Sequence, residues 1–172
     1  MKHTSSILLM GVAAALAGCA APPPPVKPSV PVVPPQQRLA AVQAAAGGED
    51  RELDVQPLRD PQVEDLRAEA AQAMAAQDYA AAADALNQAL LLVADDPAVL
   101  QERAEVALAQ GDYERAQTLA QRALELGSAV GPLCRRHWAT LEQAQQARGL
   151  EAEAVASHDK IAQCTVSGIN RM

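Results

Sequence analysis

One short signature constrains this chain more than any other: Gln77-Asp78-Tyr79 returns as Gly111-Asp112-Tyr113, 34 residues later. Leu66 and Leu100 keep the same separation, as do Ala82 and Ala116, Ala89 and Ala123, Leu90 and Leu124, and Leu92 and Leu126. A looser third copy follows an insertion of four residues near Gly127 to Leu133, with Gly149 and Ala154 in the places of Gly111 and Ala116. A unit of this length holds one supersecondary element and cannot bury its apolar face alone, so the copies must stack. Composition decides which element it is. Alanine supplies 39 residues, the aromatics are only Tyr79, Tyr113 and Trp138, and there is no Phe. Sheets draw on aromatic and β-branched side chains, whereas Ala, Leu, Gln, Glu and Arg favour helices. Proline is segregated: eight of the 12 lie between Pro22 and Pro35, and only Pro97 and Pro132 fall after Pro61.

The punctuation agrees with helices. Asp60-Pro61 and Asp96-Pro97 each put a capping carboxylate before a first-turn proline. Gly111 and Gly149 can take the left-handed conformation that ends a helix, and Asp78 and Asp112 can cap the one that follows. The pattern predicts helices over 61–77, 79–94, 97–110, 113–126, 132–148 and 151–164. In the first of these Val63, Leu66, Ala70, Ala73 and Met74 recur at helical spacing. A 34-residue helix–turn–helix period of this kind resembles the tetratricopeptide repeat, and Trp138 with Leu141 matches that family's first-helix Trp-x-x-Leu. The resemblance implies an all-α fold, a short α-solenoid of about three antiparallel helix pairs over 61–164, with the three aromatics packed in its core. It also implies a partner-binding groove lined by the first helix of each pair: Arg67, Ala71, Met74, Gln101, Glu105, Leu108, Ala139, Gln143 and Gln146. That lining has none of the Lys and Asn residues of the family's clamp for a C-terminal carboxylate, so no such clamp is expected there.

The N-terminus reads as an address and a tether. Met1-Lys2-His3 gives a positive start, and the apolar run Ile7 to Leu16 would rise only about 15 Å as a helix, half a bilayer core. It is a secretory leader over 1–18. Leu16-Ala17-Gly18-Cys19 resembles a bacterial lipobox, which implies lipid attachment at Cys19 and cleavage before it. Ala20, where Asp would retain such proteins in the inner membrane, implies the outer membrane of a Gram-negative cell. Residues 22–35 should form a polyproline II spacer reaching about 43 Å. Residues 36–46 could make one short helix, marginal alone because only Leu39 and Val42 are large and apolar. With 49–60, charged and without period, they fall in a flexible linker over 19–60; residues 165–172 are a tail.

The net charge of −7 argues against nucleic acid, since phosphate binding needs clustered Lys and Arg. Arg135-Arg136-His137 is too short to form a basic stripe. With Cys19 carrying lipid, Cys134 and Cys164 are an even pair in an oxidising compartment, at ends of antiparallel helices that lie together, and a disulfide is expected. The rival is a metal site of Cys134, His137, His158 and Cys164, disfavoured because six residues place His158 and Cys164 about 240° apart on a helix. Both histidines are expected at the surface. No HExxH, GxSxG or Gly-rich phosphate loop occurs, so neither an enzyme nor a cofactor is expected. The expected function is a lipid-anchored periplasmic adaptor for an envelope protein or peptide, serving assembly, secretion or peptidoglycan machinery. The alternatives are a self-associating spacer with no client and, behind it, a metal-binding module.

Overall fold

The structure, a computed structural model, describes residues 32–47 and 60–165. The leader, Cys19, most of the Pro-rich segment, residues 48–59 and the end of the tail lie outside the described residues. Within them are seven helices and no strand: α1 (Pro35–Ala46), α2 (Pro61–Ala75), α3 (Tyr79–Leu92), α4 (Pro97–Gln110), α5 (Tyr113–Leu126), α6 (Pro132–Ala147) and α7 (Glu151–Gln163). Helices α2 to α7 are three antiparallel pairs stacked as a short solenoid, and α1 lies against α6 and α4.

Local chemistry explains the boundaries. Asp60 accepts from the Gln62 amide at 2.8 Å, and Asp96 from the Ala98 and Val99 amides at 2.8 and 3.2 Å. Asp78 and Asp112 cap α3 and α5 through the Ala81 and Arg115 amides at 3.0 and 3.2 Å. Each such cap is worth about 1 kcal/mol. The three turns inside the pairs are one turn repeated. The amides of Asp78, Asp112 and Leu150 reach back to the carbonyls of Ala73, Ala107 and Gln145 at 2.8, 2.9 and 2.9 Å. The residue before each has a positive φ: Gln77 at 60°, Gly111 at 78° and Gly149 at 72°. This 6→1 bond over a left-handed residue is the Schellman ending. The third copy, with Leu150 where the others have Asp, leaves α7 without a side-chain cap.

Packing follows the repeat. Ala82, Ala89, Ala116 and Ala123 are all fully buried, and Ala154 is 2% exposed. Small side chains at these points let paired helices approach closely. One cluster joins Val63, Ala70, Leu86, Val99 and Val106, with Leu66, Met74 and Tyr79 packed against it. Another joins Ala104, Ala120 and Leu141, with Trp138 against it. Leu92 and Leu126 share the repeat spacing without sharing the core, being 48% and 36% exposed.

The structure departs from the sequence reading inside the linker. Pro35 is the first residue of α1 rather than the last of an extended spacer, a place proline suits because its missing N–H is not needed there. Residues 35–46 are helical because the solenoid gives them a surface. Val42 is fully buried in a cluster with Ala107, Leu108, Ala116, Ala139 and Ala144. At the other end of the solenoid, Cys134 at the start of α6 is disulfide-bonded to Cys164 after α7, with Cα atoms 5.7 Å apart. The Gly131 amide donates to the Cys164 carbonyl at 2.7 Å beside it.

Candidate partner-binding groove

The nine groove residues expected from sequence do not share one open surface. Leu108 and Ala139 lie beneath α1, packed on Val42. Gln143 also serves α1, since its backbone carbonyl and its side-chain Oε1 accept from Arg38 Nη1 at 3.1 and 3.4 Å. The Arg38 guanidinium stands 5.7 Å from the centre of the Tyr113 ring, a cation–π distance. Arg135 Nε–H donates to the Ala46 carbonyl at 2.9 Å and so closes the negative end of the α1 dipole. Gln101, fully buried, belongs to the α4–α6 interface. Gln146 is exposed and donates only to Glu142 on its own helix, at 3.0 Å. The correction has a simple cause: the apolar first-helix face of the second and third pairs needed cover, and α1 supplies it from within the chain.

What stays open is the face of the first pair. Arg67, Ala71 and Met74 of α2 border a cavity of about 370 Å³, together with Glu105 of α4. Its floor is apolar, formed by Ala70, Leu86 and Val106, and α1 walls one side with Leu39 and Gln43. Two arginines and their carboxylate partners form the rim. Arg67 Nε–H donates to Glu102 Oε2 at 2.9 Å, and a second donor of Arg67 meets Glu64 at 2.8 Å. Arg136 grips Glu105 with Nε–H to Oε1 and Nη2–H to Oε2, both at 2.8 Å. Two-pronged bonds of this kind fix orientation as well as charge. The hydrogen bond to Glu102 is the main cause of the raised pKa of Arg67. Burial works to lower that of Arg136, but the Glu105 charge and hydrogen bonds outweigh it, and the net shift is upward.

Behind the rim runs a buried polar chain. Gln101 Nε2–H donates to Thr140 Oγ1 at 2.7 Å and to Glu105 Oε1 at 2.8 Å, so its Oε1 is left to face His137 Nδ1 at 2.7 Å. His137 is therefore not at the surface, as expected from sequence, but fully buried. Gln101 assigns its proton to Nδ1, and Nε2 has no hydrogen-bond partner. Burial first, and the Arg136 charge second, lower its pKa to about 4. His158 does lie outside, 3.2 Å from Glu142. The three residues Arg135-Arg136-His137, which look idle in the sequence, thus hold α1, hold Glu105 and line the α4–α6 contact. Glu102, Arg136 and the α1 wall are the groove components that sequence reasoning missed. One signal was present: Glu102 stands next to Gln101, the repeat equivalent of Arg67 on the following first helix.

Among the described residues no group of three His, Cys, Asp or Glu side chains could hold a metal ion. No helix among them is long and apolar enough to cross a membrane.

With that geometry in hand, likeness to known structures becomes informative. The chain is similar to the solved globular C-terminal domain of LpoP from P. aeruginosa, at 30% identity and a TM-score of 0.58. The match covers 61% of this chain and 99% of that one. No protein-family model matches the chain, and no curated protein does so at a significant level.

Proposed function

The chain belongs to the family of the LpoP C-terminal domain, and on that premise we propose that it is a lipid-anchored, periplasm-facing adaptor of the outer membrane. Its client in this reading is an enzyme of the peptidoglycan machinery, and it acts by binding rather than by catalysis. Lipid at Cys19 would tie the domain to the membrane through the Pro-rich segment between them. The repeats act in the manner of tetratricopeptide pairs, offering the first-helix face to a partner segment.

The observation that carries this reading is the half-covered groove. Helix α1 fills the face of the second and third pairs, while the α1–α2–α4 end keeps an apolar floor under a rim of fixed ion pairs. A partner side chain entering there displaces water from half-buried Met74 without breaking a buried pair. The test is site-specific photo-crosslinking in the lipidated full-length protein, at Ala71 in the groove and at exposed Gln88 on α3. A peptidoglycan synthase captured from Ala71 and not from Gln88 is the expected result. Capture from Gln88 alone would move the client to another face, and membrane release by Cys19→Ser checks the anchor separately.

A second reading, a self-associating spacer, has one observation in its favour: Val155 on the uncovered face of α7 is 62% exposed. A strict monomer by light scattering at high concentration removes it.

A further inference from the structure

On the second-helix side, between α3 and α5 and away from the groove, α4 buries a cation that forms no ion pair. Arg103 is 4% exposed. Its one hydrogen bond runs from Nε–H to Asn87 Oδ1 at 2.9 Å, a neutral acceptor, and Nη1 has no partner at all. Four other arginines of the solenoid are treated differently. Arg67, Arg115, Arg122 and Arg136 each meet a carboxylate within 3.0 Å. A buried charge left uncompensated is costly, and such costs concentrate where a ligand completes the site. Desolvation, with repulsion from Arg115 behind it, holds the pKa of Arg103 below the ordinary arginine value, and the more distant charges of Asp112 and Asp84 offset this only in part.

Arg103 forms part of the wall of a cavity of about 490 Å³, within the size range of small-ligand sites. Arg115 stands on the same wall, and Leu90 and Leu119 supply its apolar part. Two carboxylates lie there too. Asp112 is already committed to capping α5 and to Arg115 at 3.0 Å, and Glu114 is exposed. Their presence disfavours a multiply charged anion such as phosphate, which would meet like charge. It leaves room for one negative charge beside an apolar group.

We propose that this cavity is a second binding site, which takes the carboxylate of a peptide between Arg103 and Arg115 and sets the neighbouring apolar side chain against Leu90 and Leu119. It is independent of the groove reading, because the two sites lie on opposite sides of α4 and share no residue.

The probe is N-acetyl-L-leucine, titrated into the full chain from residue 19 carrying Cys19→Ser, and followed by NMR of the Arg103 side-chain N–H and the Leu90 and Leu119 methyl groups. Saturable shifts with a Kd of about 1 mM are expected for one charge-assisted pair and one small apolar contact. N-acetyl-L-leucinamide, which lacks the charge, should not saturate. Arg115→Gln, at a position whose side chain is 58% exposed, should fold normally and weaken binding about tenfold. Arg103→Met should abolish it without lowering Tm, since an unpaired buried charge is replaced by an apolar side chain. Equal shifts with acetate or phosphate would mean an adventitious ion only. That result, equal binding of the amide, or unchanged affinity in Arg115→Gln would each overturn the proposal.

Discussion

His137 makes the stability of this domain depend on pH in a window where few other groups titrate. The imidazole is fully buried, its Nδ1–H is taken by Gln101, and a proton added at Nε2 would find no acceptor. The surroundings of Nε2 are also tight, because a Cβ placed on Gly127 would stand 3.1 Å from it. The folded state thus holds the pKa near 4, whereas an unfolded histidine titrates near 6.5. Between those values the unfolded chain binds the proton and the folded one does not. Stability is therefore fully present above about pH 6.5 and is lost as pH falls toward 4. The whole gap is worth about 3 kcal/mol, of which about 2 kcal/mol is gone by pH 5. Carboxylates titrate in the lower part of this range too, so the measurement must be differential. Urea unfolding of the wild type and of His137→Gln, which keeps a donor for Gln101 but does not titrate, should be run at half-unit steps from pH 7.5 to 4.5. The wild type should lose about 2 kcal/mol more than the variant by pH 5. Parallel stability curves would refute the argument, and with it the assignment of an unpartnered Nε2.

The remaining predictions test the repeat and its two ends. Ala116→Trp should cost about 1–3 kcal/mol or more by thermal unfolding, because Ala116 is fully buried between helices. Gln117→Trp, beside it but half-buried and in contact with Arg148, should cost far less. Gln77→Gly should raise stability by about 0.5–1 kcal/mol, since Gln77 sits at φ 60° where the other two copies have glycine. Val42→Asp should detach α1, so that amide exchange rises across 35–46 while 113–126 stays protected. Reduction, or Cys164→Ser, should raise exchange across 150–164 and leave 97–126 unchanged; unaltered exchange in 150–164 would show that the disulfide is not what holds α7.

Much of the solenoid was legible because its determinants are local. Asp60, Asp78, Asp96 and Asp112 cap helices through bonds to amides two or three residues away, and a residue pattern of that range can be read directly. The alanines at 82, 89, 116 and 123 repeat at the spacing of the unit they build, so their burial follows from stacking alone. Gln77 shows where local reading stops. It is a poor residue for a left-handed turn, and only the equivalence with Gly111 and Gly149 places it there.

The groove was less legible because its contents are set by long-range contacts between residues with no local reason to meet. Helix α1 has a single fully buried apolar residue, Val42, and would be marginal in isolation. It is helical in the chain because Arg38 and Arg135, 97 residues apart in sequence, grip α6 and the α1 terminus, and because Leu108 and Ala139 would otherwise face water. The same holds for His137. Nothing in its neighbourhood marks it as buried, and two arginines before it suggest a solvated helix start. Its position is decided by Gln101, one helix pair away, whose amide has both donors engaged and one oxygen left to fill. A glutamine at that place, rather than the leucine a pure packing surface would take, is the physical trace of the network, and its meaning depends on knowing that α4 and α6 touch. The polar groups that shape the groove are thus the ones least visible in sequence, since each is satisfied by a partner that only the fold brings near.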